Sequence, residues 1–160
     1  MPNETPRWKY RFDNYQRAFI LLREGMEQIA KPGASQLEKE GVVQRFEFTL
    51  ELAWKTMRDY LESEGEVFDQ FTPRTVVRKA FEANVIRDGQ VWMDAMDARN
   101  KMAHTYDSAE FERIVVQIRR AYLAALEELH AFLLPRSVQK NARPPTKNGK
   151  RAIRGPRRGR

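Results

Sequence analysis

The sequence predicts an all-α protein: an antiparallel helical bundle of four long helices and one short helix, followed by a disordered basic tail. Apolar residues recur at spacings of three and four through most of residues 1–134, which is the period of an amphipathic α-helix. No stretch of useful length alternates apolar and polar residues as a half-buried strand does. We therefore expect a bundle domain over residues 1–134 and a tail over residues 135–160.

The first helix should begin at Thr5 and Pro6, with Thr5 as the N-cap and Pro6 as the first helical residue. Lys31, Pro32 and Gly33 should end it, because proline and glycine interrupt helices. Its aromatic-rich apolar face is formed by Phe12, Tyr15, Phe19, Leu22, Met26 and Ile29.

A second helix should begin at Ser35, which has Glu38 three residues later in the spacing of a capping box, and should end at Gly65. Its main apolar stripe is formed by Val43, Phe46, Leu50, Ala53, Trp54, Met57 and Leu61. Phe48 and Leu52 lie on the opposite side. This helix is therefore expected either to be central in the bundle or to contribute one face to an interface.

A short helix follows, for which Thr72 and Pro73 predict the start and Asn84 the C-terminal end. Its apolar residues are Val76, Val77, Ala80 and Phe81. Asp107 and Glu110 predict the start of a long final helix. This last helix carries the apolar residues Phe111, Ile114, Val115, Ile118, Tyr122, Ala125, Leu129, Phe132 and Leu133. Pro135 should terminate it.

The composition excludes several kinds of site. The chain has no cysteine and two histidines far apart in sequence, so neither a disulfide, a thiolate site nor a His-based zinc site is expected. We expect no metal and no cofactor. No apolar run approaches the length of a membrane span, and the first residues lack the apolar core of a signal peptide. These observations predict a cytoplasmic protein without membrane contact.

The basic character of the chain belongs to its tail. The formal net charge is +7, but residues 135–160 hold ten basic residues and no acidic one, so residues 1–134 hold 19 basic and 22 acidic residues. The end of the tail carries Arg151, Arg154, Arg157 and Arg158. Such a tail could contact RNA or DNA phosphates through charge alone, or it could be a solubilising appendage without a ligand.

The segment from Asp88 to Tyr106 carries the most informative polar residues. Asp88 should cap a helix, and the helical period places four residues on one stripe, namely Trp92, Met96, Arg99 and Ala103. Arg99 thus stands where an apolar residue is expected. Asn100 and His104 are i and i+4 neighbours beside it, and Tyr106 returns to the Arg99 side if the helix continues.

An arginine on an apolar stripe must pair with an anionic or carbonyl group, or it must face a cleft. Glu47 lies at the edge of the main stripe of the second helix and is one candidate partner for Arg99. The alternative is a buried structural arginine with a helix-terminal histidine nearby. Helical geometry alone leaves both interpretations open.

Residues 99–106 fit the pattern Arg-x4-His-x-Tyr, with a polar residue directly after the arginine. This pattern resembles the signature of the HEPN superfamily. Residues 44–56, together with Trp92 and the Arg99-Asn100 pair, are similar to the branch called nucleotidyltransferase substrate-binding proteins. That branch is related to the HEPN toxins encoded beside minimal nucleotidyltransferases. The resemblance covers roughly residues 7–134 and leaves the tail outside.

The resemblance implies a homodimer in which two copies of the motif face one cleft. Active ribonucleases of the superfamily cleave RNA without a metal, by attack of the ribose 2′-hydroxyl on the adjacent phosphate. Carried over to this sequence, His104 would move protons, Arg99 would bind the phosphate, and Asn100 would orient the imidazole or a phosphate oxygen. Tyr106 would accept AMP from a partner nucleotidyltransferase, which silences the ribonuclease, unless it only packs at a helix junction.

Three functions follow. The first is a toxin that acts as a metal-independent endoribonuclease on RNA and is neutralised by a minimal nucleotidyltransferase. The second is a non-catalytic subunit that presents a nucleotide or another substrate to that partner. The third is a nonspecific nucleic-acid binder dominated by its tail. We favour the first, because the complete Arg-Asn-x3-His-x-Tyr motif is expected where both the activity and its control are retained.

Overall fold

A computed structural model describes residues 4–104 and 107–139 of the chain. The helices are α1 (Arg7–Ile29), α2 (Gln36–Ser63), α3 (Pro73–Glu82), α4 (Gly89–Met102), α5 (Ser108–Gln117) and α6 (Leu123–Val138). A π-helical segment, Ile118–Tyr122, joins α5 to α6, so these three elements form one long helical run. These ranges contain no strand, and the all-α prediction is confirmed. None of the helices within them is both long and apolar enough to cross a membrane.

Local capping chemistry sets the starts of four helices, as the sequence predicts. At the start of α2 the Glu38 N–H donates to Ser35 Oγ at 3.2 Å, and the Ser35 N–H donates to Glu38 Oε2 at 2.6 Å. The side chains of Thr72, Asp88 and Asp107 cap α3, α4 and α5 in the same general way. These side chains satisfy backbone N–H groups that have no partner inside the helix.

The predicted start of the first helix is wrong by one residue. Pro6 occupies the N-cap position, α1 begins at Arg7, and no side chain caps it. Thr5 therefore does not act as the cap. The predicted ends of the first three helices are confirmed, because α1, α2 and α3 finish just before Gly33, Gly65 and Asn84, which have φ values of 85°, 97° and 57°.

The predicted end of the last helix is wrong. Pro135 lies inside α6, which continues through Val138 into the stretch predicted to be the tail. A proline removes one backbone donor, a loss that costs least near a helix end, where carbonyls lack partners in any case. Arg136 satisfies a neighbouring carbonyl of this last turn, because its Nη1 donates to the Phe132 carbonyl at 2.6 Å. Residues 140–160, including Arg151, Arg154, Arg157 and Arg158, lie outside the described residues.

The π-helical segment keeps one side of the final helical run in the core. Ile118, Tyr122 and Leu126 are all buried although successive members are four residues apart, a spacing that drifts around an ordinary α-helix. A π-turn contains more residues than an α-turn and so corrects this drift. Tyr15 on α1 reaches the same region, where its hydroxyl donates to the Leu126 carbonyl at 2.5 Å. Burial raises the pKa of Tyr15 well above its usual value, so the phenol stays protonated and can donate.

The long helices α1 and α2 form the core of the bundle, and their predicted apolar faces are buried as expected. Phe81 departs from this pattern, because the sequence predicts it on the apolar face of α3 and it is 51% exposed. Phe48, predicted to lie opposite the main stripe of α2, is 62% exposed, as expected of a face that an interface could use. Both rings therefore lie on the surface and are available to a partner.

Two contacts fix α1 against α2. Near one end of their interface a Cβ on Gly25 would approach Val42 Cγ2 to 2.9 Å, so only glycine fits there without movement. Near the other end the buried carboxylate of Asp59 meets three guanidinium groups, with closest distances of 2.6 Å to Arg11, 3.0 Å to Arg58 and 3.6 Å to Arg7. A buried carboxylate is stable in this position because it is paired several times.

We expect Gly25→Ala to lower the melting temperature of the protein. The new methyl group would overpack the helix interface, at a cost of about 1–3 kcal/mol, which exceeds the gain of about 1 kcal/mol in helix propensity. Gly41→Ala is the matched control, since a Cβ at this helical position meets no atom of the described residues within 4 Å. It should raise the free energy of unfolding by about 0.5–1 kcal/mol. Equal shifts in thermal denaturation would contradict a close approach at Gly25.

Candidate functional site

The C-terminal end of α4 carries the predicted site residues. Trp92 and Met96 are buried and fix one face of α4 against the bundle, while Arg99 lies at the edge of that face and Asn100 is exposed. The helix ends at Met102, and Arg99 lies in its last turn. Arg99 is therefore held by a rigid element and still reaches solvent.

The helix does not continue through the whole motif. Ala103 is the C-cap, and the His104 N–H donates to the Lys101 carbonyl at 3.2 Å in a turn. The placement of Asn100 and His104 as neighbours on one continuous helix is therefore wrong, although both are exposed at the same end of α4. Ala103, predicted to face inward, is exposed as well. Tyr106 lies outside the described residues.

Arg99 forms an ion pair with Glu51 on α2, with 2.5 Å between Arg99 Nη1 and Glu51 Oε2. The expected pairing with Glu47 is wrong by one helical turn of α2. The Arg99 side chain remains 31% exposed and the Glu51 side chain 28% exposed, so the guanidinium lies at an open edge of the bundle. The alternative of an arginine enclosed in a dry core does not describe this residue.

Several donors surround the Glu51 carboxylate. Lys55 Nζ lies 2.8 Å from Oε1, and the indole Nε1 of Trp54 donates to Oε2 at 3.1 Å. Partial burial, the largest single influence, raises the pKa of Glu51. The hydrogen bonds from Lys55 and Trp54 and the charges of Arg99 and Lys55 together outweigh burial and lower the pKa below its usual value. Glu51 is therefore ionised at neutral pH and holds Arg99 as a true ion pair.

Glu47 lies one turn before Glu51, and its carboxyl group feels the charge of Arg99 without pairing with it. Partial burial raises the pKa of Glu47, and the Arg99 charge only partly offsets this effect. Glu47 also lines a cleft of about 570 Å³ between α2 and the start of α5, together with Gln44 and Phe111. The site therefore adjoins a concave surface of polar and aromatic groups.

Ion pairs connect the end of α4 to α5 across the turn. Lys101 Nζ on α4 lies 3.1 Å from Glu110 Oε2 on α5. Within α5, Arg113 Nη1 lies 2.5 Å from the other oxygen of the same carboxylate, Glu110 Oε1. On the neighbouring side, Lys39 of α2 pairs with Glu112 of α5 at 2.7 Å. The end of α4 that bears Asn100 and His104 is thus fastened to α5 as well as to α2.

The structure therefore brings Arg99, Asn100 and His104 together at one end of α4. It adds Glu51, Trp54 and Lys55, which the sequence analysis did not propose as site residues. Glu51 is four residues from Glu47, so helical periodicity marks both as carboxylates on neighbouring turns of α2. Only the way in which α4 crosses α2 selects Glu51.

Metal binding gains no support from the described ranges. They contain no group of three or more His, Asp or Glu side chains placed to hold a metal ion. The second histidine of the chain, His130, stacks between Phe12 and Phe19 and bonds Gln16 at 3.0 Å. Burial and the charge of Arg23 lower the pKa of His130, which favours its neutral form. His130 therefore belongs to the packing of α1 against α6.

We expect Arg99→Ala to raise the pKa of both Glu51 and Glu47, because both carboxylates lose a stabilising positive charge. Carbon-detected NMR titration of the side-chain carboxyl groups measures both values. Arg113→Ala is the control, since Arg113 pairs with Glu110 and its removal should leave both pKa values unchanged. Unchanged pKa values in Arg99→Ala would place the guanidinium elsewhere in solution.

Comparison with known proteins identifies the family of the chain. Residues 10–134 match the family described as nucleotidyltransferase substrate binding protein like. A protein of Haemophilus influenzae named probable ribonuclease HepT is 29% identical over 104 residues, which cover 63% of this chain and 68% of that protein.

Two solved structures share the fold. One, from Haemophilus influenzae, is described as revealing the fold of a substrate binding domain of a nucleotidyltransferase. It is 25% identical in sequence with a TM-score of 0.68, and the alignment covers 77% of this chain and 98% of that chain. The other, from Thermus thermophilus, is 27% identical in sequence with a TM-score of 0.61, and the alignment covers 78% of this chain and 99% of that chain. The resemblance found in the sequence is thereby confirmed: the chain belongs to the nucleotidyltransferase substrate binding protein-like family, within the HEPN superfamily.

Proposed function

We propose that this protein is a HEPN-type toxin that acts as a metal-independent endoribonuclease. The observation that carries the proposal is the position of Arg99, which is paired with Glu51 but still about a third exposed, at the helix end that also presents Asn100 and His104. A partly exposed guanidinium and an exposed imidazole at the same helix end can act on a phosphodiester. The similarity to a probable ribonuclease supports the same reaction.

In the proposed reaction the ribose 2′-oxygen forms a bond to the adjacent phosphorus, and the bond from phosphorus to the 5′-oxygen breaks. The 2′-hydroxyl loses a proton, the departing 5′-oxygen gains one, and the products are a cyclic phosphate and a 5′-hydroxyl. His104 would move one of these protons. Arg99 would stabilise the extra charge on the phosphate oxygens, and Asn100 would orient the imidazole or the phosphate.

Glu51 would act in this reaction as a positioning residue. It holds the Arg99 side chain in one place before RNA arrives, so less side-chain entropy is lost on binding. A guanidinium presents five N–H donors in a planar fork, and one carboxylate engages at most two of them closely. Glu47 supports the site from one turn away, through its electrostatic contact with Arg99.

We further propose that two copies of the chain form a homodimer with their motifs facing a shared cleft. Phe48 is 62% exposed, and Leu52 is partly exposed on the same face of α2. Glu51 follows Phe48 by three residues and is therefore its neighbour on the helix surface. An exposed aromatic beside the Arg99–Glu51 pair supports an interface adjacent to the site.

A minimal nucleotidyltransferase is the proposed partner and regulator. It would transfer AMP from ATP to the hydroxyl oxygen of Tyr106, two residues after His104: the phenol loses its proton, its oxygen bonds the α-phosphorus, and pyrophosphate leaves. The added phosphate would occupy the place of the substrate phosphate. The family to which the chain belongs supports a partner of this kind.

A second candidate function is a non-catalytic subunit that presents a nucleotide or another substrate to this nucleotidyltransferase. The description of the Haemophilus influenzae structure as a substrate binding domain favours it. The two functions use the same surface and differ in whether RNA is cleaved.

Purified protein should cleave single-stranded RNA, and Arg99→Ala and His104→Ala should each reduce the cleavage rate by about 100-fold or more, since each removes a group that acts in the transition state. Gel analysis of end-labelled RNA measures the rate and identifies a cyclic phosphate end. Light scattering of the same sample should give about twice the 18.8 kDa mass of one chain.

The chain provides matched controls. His130→Gln removes the other histidine, and Arg113→Ala removes an exposed arginine paired elsewhere. Both should cleave at nearly the wild-type rate at temperatures well below their melting temperatures. Cleavage that survives in both Arg99→Ala and His104→Ala would exclude these residues from the reaction.

Co-expression with the proposed nucleotidyltransferase partner should add the mass of AMP to the intact protein. Peptide mass spectrometry should locate this added mass on Tyr106. Tyr106→Phe should remain unmodified, because it lacks the accepting oxygen, and should retain ribonuclease activity in the presence of the partner. A stable complex without AMP transfer and without RNA cleavage would instead favour the substrate-presenting subunit. In that case Arg99→Ala should lose affinity for the presented nucleotide.

A further inference from the structure

A second concave surface lies between α3 and α4, near the start of α4 and away from the Arg99 end. It has a volume of about 380 Å³. Met93 contributes apolar surface above the buried Val77, and Phe81 lines the groove while remaining half exposed. Arg78 and Arg87 line the same groove with exposed side chains. An exposed aromatic ring and two exposed arginines in one groove are an uncommon combination on a surface with no role in the fold.

The Phe81 side chain lies against the backbone of Gly89. A Cβ built on Gly89, at the first residue of α4, would lie 3.6 Å from Phe81 Cβ and Cγ. The ring therefore rests beside the start of α4, and 51% of the residue remains accessible. A planar apolar ring held in this way can stack against another flat ring at little cost in entropy.

The two arginines of the groove lack the partners that neighbouring cations have. On α3 itself, Arg74 pairs with Asp97 and Lys79 pairs with Glu66. Across residues 4–104 and 107–139, neither Arg78 nor Arg87 forms an ion pair, although Glu82 lies one turn after Arg78. Asp88 also lines the groove, where its side chain caps α4, and Asp94 accepts from Gln90 Nε2 at 2.8 Å. The lining thus holds two arginines and one carboxylate, so its net charge is positive.

A stripe of residues on α3 leads from the groove towards the far end of α4. Phe81 packs at the start of α4 and Arg74 pairs with Asp97 near its end, so α3 and α4 run antiparallel. Arg74, Arg78 and Phe81 have the i, i+4, i+7 spacing that forms one stripe on α3. This stripe begins near Asn100 and extends away from it. The ten residues from Gly89 to Arg99 correspond to about 15 Å, a span of a few nucleotides.

We infer that the groove between α3 and α4 binds single-stranded RNA, with one base stacked on Phe81 and backbone phosphates at Arg78 and Arg87. The strand then continues along α3 towards the end of α4 that bears Asn100 and His104. Stacking on an aromatic ring flanked by cations is the usual way in which proteins hold single strands without reading their sequence. A base inside a duplex does not offer its face, so the groove selects unpaired RNA. This direction of the strand rests on the proposed ribonuclease function, whereas binding in the groove does not.

The test uses the full chain and two labelled RNA probes that cannot be cleaved, a 2′-O-methyl octauridine and the same octamer with abasic sugars. Fluorescence anisotropy measures both dissociation constants at fixed salt. The wild type should bind the base-bearing probe about tenfold more tightly than the abasic one, the scale expected of one stacked base. Phe81→Leu keeps an apolar side chain but removes the flat ring, so this preference should fall at least fivefold. Phe81→Trp should retain it.

The arginines are tested through salt. Arg78→Ala and Arg87→Ala should weaken binding of both probes, and each should reduce the slope of log affinity against log salt by about one. Tyr10→Ala and Arg17→Ala, at exposed positions of α1, are the matched controls and should leave affinity and slope unchanged. A loss of affinity in the controls equal to that in the groove variants would overturn the groove as a specific site. A Phe81→Leu variant with an undiminished preference for bases would overturn it as well.

The same set of proteins separates this inference from the proposed function. Arg99→Ala and His104→Ala should keep the base preference of the wild type. If the wild type cleaves no RNA and the Phe81→Leu variant loses the base preference, the proposed ribonuclease activity is contradicted and RNA binding in the groove is supported. If cleavage depends on Arg99 and His104 but its KM is the same in Phe81→Leu as in the wild type, the ribonuclease activity is supported and RNA binding in the groove is contradicted. Equal affinity for duplex and single-stranded RNA would contradict the assignment to unpaired RNA.

Discussion

The ion pair between Arg99 and Glu51 connects the end of α4 to the middle of α2, and the arrangement of the candidate site depends on it. An arginine on the inward edge of a helix would be costly without a counter-charge. Glu51 supplies that charge at 2.5 Å and is itself kept ionised by Lys55 and Trp54. The pair lies at the edge of the bundle, so the charge of Arg99 is balanced where α4 packs on α2 and the guanidinium remains accessible to a ligand.

This arrangement gives the site two opposing electrostatic influences. The charges of Arg99 and Lys55 favour an anion, whereas Glu51 and Glu47 disfavour one. In the proposed function, a phosphate at the site would replace part of an existing interaction and would not fill an empty one. Since Glu51 holds the cation in advance, the affinity gained from charge would be moderate and the gain in orientation larger.

The sequence predicts those features that depend on neighbouring residues. Ser35, Thr72, Asp88 and Asp107 cap their helices because capping needs only a side chain and the next turn. The partner of Arg99 depends on how α4 crosses α2, and periodicity could not separate Glu51 from Glu47. Similarly, the exposure of Phe81 and the continuation of α6 through Pro135 depend on tertiary surroundings, which override local preference.

The two contacts between α1 and α2 have a mechanical consequence for the α2 surface. Gly25 meets Val42 near one end, and Arg11 meets Asp59 near the other, which are about 25 Å apart along α2. Two separated fixed points prevent one rod from sliding along another or rolling around it. Glu47 and Glu51 lie between these points, so α2 holds both carboxylates at fixed positions relative to α1.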